Sequence, residues 1–307
     1  MKKTTKITLF LVSTLLVLGM ITMNACKKSS TPLPQINGYD NSDQIAATSL
    51  KAHWTFDGTN NEIVSAIAPT TAVGSTFVPG IKGNALHLTN GYLLYPTIAA
   101  LNTANALSSV TVSLWVNVDN NGTTASSFFA LTQPLAVQTD WNQGPINVYA
   151  ETTHKPAYDD TLVLHSSFHT YLNGNYNTGG DNINDFGIRG TDFQTLLGAK
   201  KWVHYVMQYD GSGSNIDIYA NGIRVSNNKF RNRTTGNPPA GIGNIMINPP
   251  TQVLIGAFPN IDAGYALSAA QVWQGKLTGS IDEIRVYNKV LTPQEIGSLY
   301  QLELAGR

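Results

Sequence analysis

Apolar residues fall on alternate positions in several short stretches of this chain. The clearest is Val110-Thr111-Val112-Ser113-Leu114-Trp115-Val116-Asn117-Val118. Its even positions are all aliphatic and its odd ones are Thr, Ser, Trp and Asn, the two-residue period of a strand with one face on a core and one on a polar surface. The same period runs from Trp202 to Tyr209, where Val203, Tyr205, Met207 and Tyr209 form the apolar set. Asp210-Gly211-Ser212-Gly213 then predicts a turn into a strand over 216–220. Asn221-Gly222 predicts a tight hairpin into Ile223-Arg224-Val225, because both residues of such a turn need positive φ. Glycine and proline, 27 and 14 in the whole chain, punctuate the β-branched and aromatic runs from Leu50 onward, as in an all-β sandwich. One short helix is predicted near the carboxyl end. Thr292 is its N-cap, Pro293 its first helical residue and Glu295 the capping-box partner, with Leu291 and Ile296 at the staple positions and an end near Leu304.

The amino-terminal stretch has a different pattern. Lys2, Lys3 and Lys6 precede an apolar run from Ile7 to Ile21, and Met23-Asn24-Ala25 sets a small residue before Cys26. That order is an export signal. It resembles the bacterial lipoprotein signal, which implies removal of residues 1–25 and acylation of Cys26 on its sulfur and new amino group. The chain would then be held in the cell envelope by lipid, with the outer membrane as the expected location. The alternative is a transmembrane anchor, but the run has 15 residues where about 20 are needed to cross a bilayer. Lys27 to Ser49 is polar and carries Pro32 and Pro34. Residues 26–49 therefore read as the lipidated cysteine and a flexible tether, leaving 50–303 for the folded domain.

Composition narrows the function. Cys26 is the single cysteine, so no internal disulfide can hold the fold. With 307 residues, 42% of them hydrophobic, the chain buries a core large enough without one. Loss of the three signal lysines leaves 16 basic residues against 19 acidic, a mature charge of −3. Basic residues cluster only as Lys27-Lys28, Lys200-Lys201 and Arg231-Asn232-Arg233, which argues against nucleic-acid binding.

Three groups of segments, in order, resemble one family. The first is Leu50-Lys51-Ala52-His53-Trp54-Thr55-Phe56-Asp57-Gly58 with Val78-Pro79-Gly80-Ile81-Lys82-Gly83-Asn84-Ala85-Leu86. The second is the 110–118 strand with Trp202-Val203-His204 and Ile218-Tyr219-Ala220-Asn221-Gly222. The third runs from Gly275 to Asn288 and on into the helix start. Together they look like the laminin-G-like, concanavalin A-like jelly-roll domain. The resemblance implies a two-sheet antiparallel jelly-roll sandwich with neighbouring chain ends. It also makes Asp282 a structural hydrogen-bond acceptor. This fold hosts lectins, glycosidases and adhesive modules alike, so the chemistry must come from residues.

Glycoside hydrolysis needs two carboxyl groups flanking the bond. Glucanases of this fold carry Glu-x-Asp-x-x-Glu on one strand, and the five glutamates here, Glu62, Glu151, Glu283, Glu295 and Glu303, have no such spacing. No Gly-x-Ser-x-Gly elbow is present. The chain is therefore expected not to be an enzyme, unless Asp159, Asp160 and a histidine share a cleft. His165 and His169 are read as strand-surface histidines rather than a zinc pair. Calcium is a candidate cofactor: Asp181, Asn182, Asn184 and Asp185 offer the oxygens it prefers, although Asn and Gly also make turns. Sugar binding needs an aromatic face with amide or carboxylate partners. Trp141, Tyr149, Tyr158, Tyr171, Tyr176 and Asn173 lie in residues 133–195, where the chain departs most from the family pattern. Trp141 is either a ligand contact or a packed loop anchor, whereas Trp54, Trp115, Trp202 and Trp273 read as core or sheet-covering residues. The expected partner is a glycan; the alternative is an envelope protein bound by an adhesion or assembly module.

Overall fold

The computed structural model describes residues 32–153, 159–172, 174–184 and 194–307. Ile36–Arg307 form one compact unit, and of the preceding unit only residues 32–35, irregular in conformation, are described. Cys26 lies outside the described residues.

The strands in chain order are β1 (Leu50–Trp54), β2 (Thr71–Pro79), β3 (Asn84–Leu94), β4 (Val110–Val118), β5 (Ala125–Thr132), β6 (Ile146–Ala150), β7 (Leu164–Leu172) and β8 (Asn175–Ile183). They continue as β9 (Val203–Asp210), β10 (Asn215–Ala220), β11 (Ile223–Arg224), β12 (Thr234–Thr235), β13 (Ala240–Gly241), β14 (Gln252–Ile255), β15 (Gln274–Gly275) and β16 (Leu277–Tyr287). All but the β12–β13 ribbon join one curled sheet, β11-β10-β9-β4-β16-β3-β14-β5-β6-β7-β8, with β1 on β16, β2 on β3 and β15 on β5. Its pairings are antiparallel except β15 with β5. The sheet folds over so that β7 and β8 lie against β9 and β10, closing a jelly-roll sandwich on one large apolar core.

The alternation in β4 places Val110, Val112, Leu114, Val116 and Val118 in that core, and β9 adds Val203, Tyr205, Met207 and Tyr209. The Asn221-Gly222 hairpin forms with φ of 51° and 80°. The polar face of β4 is not open to water as its pattern suggested: Thr111, Ser113 and Trp115 are buried. They are covered by α2 (Pro293–Leu304), the predicted helix, whose capping box and proline are formed. Leu291, Ile296, Leu299 and Leu302 pack there on Val206, Tyr219 and Tyr287, each fully buried aliphatic contributing roughly 1.5–3 kcal/mol. A one-turn helix, α1 (Ala99–Asn102), is the other α element described.

The polar covering of residues 36–49 is not the flexible tether expected over 26–49. Ile45 joins the α2 cluster, and Ser42 and Asp43 accept hydrogen bonds from the buried Arg285 guanidinium at 3.1 and 2.9 Å. The segment orders because Arg285, fully buried, also needs Glu283 at 2.6 Å and Glu303 at 2.8 Å. Trp115 Nε1 donates to the same Glu303, and His53 Nε2 meets Glu283 at 2.9 Å. Burial pushes the Glu303 carboxyl up to about 7 and the His204 imidazole down to about 3, with Arg285 adding to the latter. Ser42 N–H donates to the Arg307 carbonyl, so the two ends of the folded unit are neighbours. Asp282 accepts from the Ile81, Lys82 and Glu283 amides. Gly80 is required beside it, since a Cβ there would stand 2.3 Å from Asp282 Oδ2.

Candidate functional site

The outer face of β6, β7 and β8 carries a second group of aromatic and titratable side chains, one that opens to the surface. In β6, Ile146, Val148 and Ala150 enter the core, which turns Asn147 and Tyr149 to the opposite face. In β7, Leu164 and Phe168 enter the core and His165, Ser167 and His169 turn outward. The register sets Tyr149 opposite His165 and Ser167 opposite Asp181. Residues 133–195 thus contain three strands, not only the loops their composition suggested. Gly179 and Gly180 sit within β8 because Cβ atoms there would meet the Phe168 carbonyl oxygen at 2.2 Å and Arg233 Nε at 2.1 Å.

Two segments fold over this face. The first, 133–144, is tied by Gln138 accepting from the Gln133 amide and Gln143 from the Thr139 amide, and it presents Trp141. The second is fixed where Ala125 N–H donates to the Trp273 carbonyl at 2.7 Å and β15 pairs with β5. Trp141 and Trp273 are half-buried and meet edge to face at 5.0 Å and 84°. Tyr149 and Phe258 complete the cluster, with Trp141 at 5.9 and 5.7 Å from them. Edge-to-face pairs of this kind are worth about 0.5–1.5 kcal/mol each, enough to hold an indole half in solvent.

Two adjoining clefts result, sharing Trp141 and Tyr149. One, of ≈ 230 Å³, lies between Trp141 and Trp273 with Glu151 and Thr153 at its edge. The other, of ≈ 390 Å³, is lined by Asn142, His165, Ser167, His169 and Asp181. At their junction His165 Nδ1 meets Glu151 Oε1 and Nε2 meets Asp181 Oδ2, both at 2.9 Å. Burial alone would lower the His165 pKa, but hydrogen bonds to Asp181 and Glu151 outweigh it and raise it, favouring the imidazolium that donates to both. Tyr149 lies over this ring at 4.5 Å and 32°. Arg233 donates to the second oxygen of Asp181 at 2.9 Å. His169 is pushed the other way, burial favouring its neutral form.

Several sequence expectations are redistributed. Trp141 and Tyr149 are brought together; Tyr171 lies beyond a bulge in β7 and lines neither cleft. Tyr158, Asn173 and Asp185, and the side chain of Tyr176, lie outside the described structure. The three described members of the calcium set do not converge. Asp181 faces outward, while Asn182 accepts from the Ile183 and Asn227 amides on the inner side and Asn184 accepts from the Leu164 amide. Among the described residues no group of three or more His, Cys, Asp or Glu is arranged to hold a metal. Trp54 and Trp115 are core residues as expected, but Trp273 is a cleft wall. Glu151, His165 and His169 were missed as site residues; the one signal for the histidines is their even spacing, which puts both on one strand face.

The family model described as the concanavalin A-like lectin/glucanase superfamily, laminin-G type, matches residues 89–297. The chain belongs to that superfamily. Its β5–β8 face therefore sits on a lectin/glucanase jelly roll. No curated protein matches the chain. Among solved structures, the botulinum neurotoxin serotype G binding domain is similar at 11% identity and a TM-score of 0.51, covering 82% of this chain and 51% of that one. Domain 4 of an extracellular arabinanase from Geobacillus stearothermophilus, solved with arabinotriose, is 19% identical with a TM-score of 0.48, covering 82% and 98%. The botulinum neurotoxin DC binding domain, solved with a sialyl sugar, is 12% identical with a TM-score of 0.49, covering 83% and 51%. The chain spans about half the length of those toxin chains, and the likeness at such identities is one of fold.

Proposed function

We propose that this protein is a non-catalytic carbohydrate-binding module displayed from the bacterial cell envelope by lipid on Cys26. The observation that carries the reading is the pair of clefts walled by Trp141, Tyr149 and Trp273 and edged by Glu151, His165 and Asp181. Aromatic faces suit the C–H side of a sugar ring, and charged or amide groups beside them match its hydroxyls. The carboxylates support binding over hydrolysis. Glu151 and Asp181 share the one His165 ring rather than flanking an open bond. Glu62 accepts from the His53, Val64 and Ser65 amides, Glu283 and Glu303 are buried around Arg285, and the exposed Asp159 and Asp160 line neither cleft. Calcium has no part in this reading, since Asn182 and Asn184 direct their carbonyl oxygens to backbone amides.

The lipid anchor and outer-membrane location rest on the signal sequence alone. No helix among the described residues is long and apolar enough to cross a membrane. The test is the purified protein on an array of plant, host and microbial glycans. Binding that is lost in Trp273→Ala is expected; silence across the array contradicts the reading. One observation favours a second reading, an adhesion module for an envelope protein: Ile261, Leu267 and Val272 are exposed, Val272 to 98%, close in sequence to the Trp273 wall. A stoichiometric crosslinked protein partner unaffected by sugars would favour it.

A further inference from the structure

We infer that the ligand is an oligosaccharide of at least two sugar units lying across both clefts at once, rather than a single sugar or a chain terminus. This rests on the glycan reading above. The two clefts differ in chemistry. Between Trp141 and Trp273 a ring meets aromatic walls and, among the described residues, the polar side chains of Glu151 and Thr153 at the edge. The adjoining cleft reverses this balance, with Asn142, Ser167, His169 and Asp181 around it. Among the described residues, a single ring in the first leaves most of its hydroxyls without directed partners, and a single ring in the second has the shared face of Trp141 to stack on, since Tyr149 is buried against His165. The volumes agree. At ≈ 230 Å³ the first cleft lies below the range of about 300–1,000 Å³ typical of ligand sites and at ≈ 390 Å³ the second lies near its low end, whereas the two together fall well inside it.

The junction is built to hold its shape while a chain passes over it. His165 is clamped through both nitrogens, to Glu151 of the first cleft and Asp181 of the second, and Asp181 is held again by Arg233. Tyr149 lies tilted against the clamped ring and belongs to both clefts. A bound chain is therefore recognised by aromatic contact at one unit and by polar contact at the next, across a rigid divide.

The test is calorimetric titration of the full-length protein with monomers through pentamers of β-1,4-glucan, β-1,4-xylan, β-1,4-mannan and β-1,4-galactan, repeated with Trp273→Ala and Asn142→Ala. Melting of each variant is recorded so that affinity is expressed per folded molecule. In the series that binds, the second unit should tighten affinity by at least about tenfold, equivalent to about 1.4 kcal/mol, and the gain should level off once both clefts are filled. Each variant, at opposite ends of the site, should remove most of that gain. A monomer that binds as tightly as its oligomers would overturn the inference while leaving the glycan reading intact. So would Asn142→Ala with an unchanged chain-length profile. Failure of every chain length in every series would bring down the glycan reading as well.

Discussion

His165→Gln removes the charge at the centre of the site, and its effect on stability has a sign that the geometry fixes. The ring is 12% exposed and touches Glu151 and Asp181, 35% and 44% exposed, at 2.9 Å each, with Tyr149 tilted against it. A charge-assisted hydrogen bond is worth about 1.5–3 kcal/mol. Solvated carboxylates bring each pair back toward the 0–1 kcal/mol of exposed ion pairs, so about 1–2 kcal/mol in total is expected. The folded-state pKa of His165 lies above its ordinary value. Its stabilisation is therefore complete below about pH 6.5 and is lost as pH rises through the folded value. His53, His169 and His204 act in the opposite sense, because burial favours their neutral forms; their contribution is present above about pH 6.5 and lost below it. The wild-type profile mixes both signs, and the difference between wild type and His165→Gln isolates one. Urea unfolding should give a stability gap near its full size at about pH 5.5–6 that shrinks toward about pH 9. A gap that is constant or widens with pH would refute the clamped imidazolium.

Arg285→Met should lower stability by about 3–5 kcal/mol in urea unfolding, since it leaves buried Glu283 and Glu303 without their cation; a loss under about 1 kcal/mol would mean the network is not coupled. Glu303→Gln should cost clearly less, because burial already holds that carboxyl up to about 7. Cys26→Ser should abolish incorporation of labelled fatty acid, since a hydroxyl is a far weaker nucleophile than a thiol acting through its thiolate; equal labelling of the two proteins would show that Cys26 is not acylated. EDTA should change neither melting nor glycan binding, and a lowered melting temperature restored by calcium would reinstate a metal that the Asp181–Asn184 geometry does not accommodate.

The core was legible because its signals are local. Two-residue alternation in β4 and β9, the Asn221-Gly222 turn and the Thr292–Glu295 capping box each name their own structure within a few residues. Ordered family-like segments then gave the jelly roll. The site was legible only in part, because it is made by register. Nothing in the sequence near His165 says that Asp181, sixteen residues away, will meet its Nε2. Trp273 covers the sheet, as its strand-like neighbours suggested, but only the parallel pairing of Gln274-Gly275 with β5 shows that its ring lies beside Trp141. Asn182 and Asp181 looked like joint metal ligands because composition ignores that adjacent strand residues face opposite sides. Residues 36–49 read as a tether since polar composition conceals a buried arginine elsewhere that needs Ser42 and Asp43.

The most direct measurement is a titration of the five tryptophan indole N–H signals of the protein with a glycan that it binds, followed by heteronuclear NMR. Trp141 and Trp273 should shift together and saturably, while Trp54 and Trp115, buried in the core and under α2, stay in place. Shifts confined to Trp202, or saturation with Trp141 and Trp273 unmoved, would put the sugar elsewhere and contradict the account.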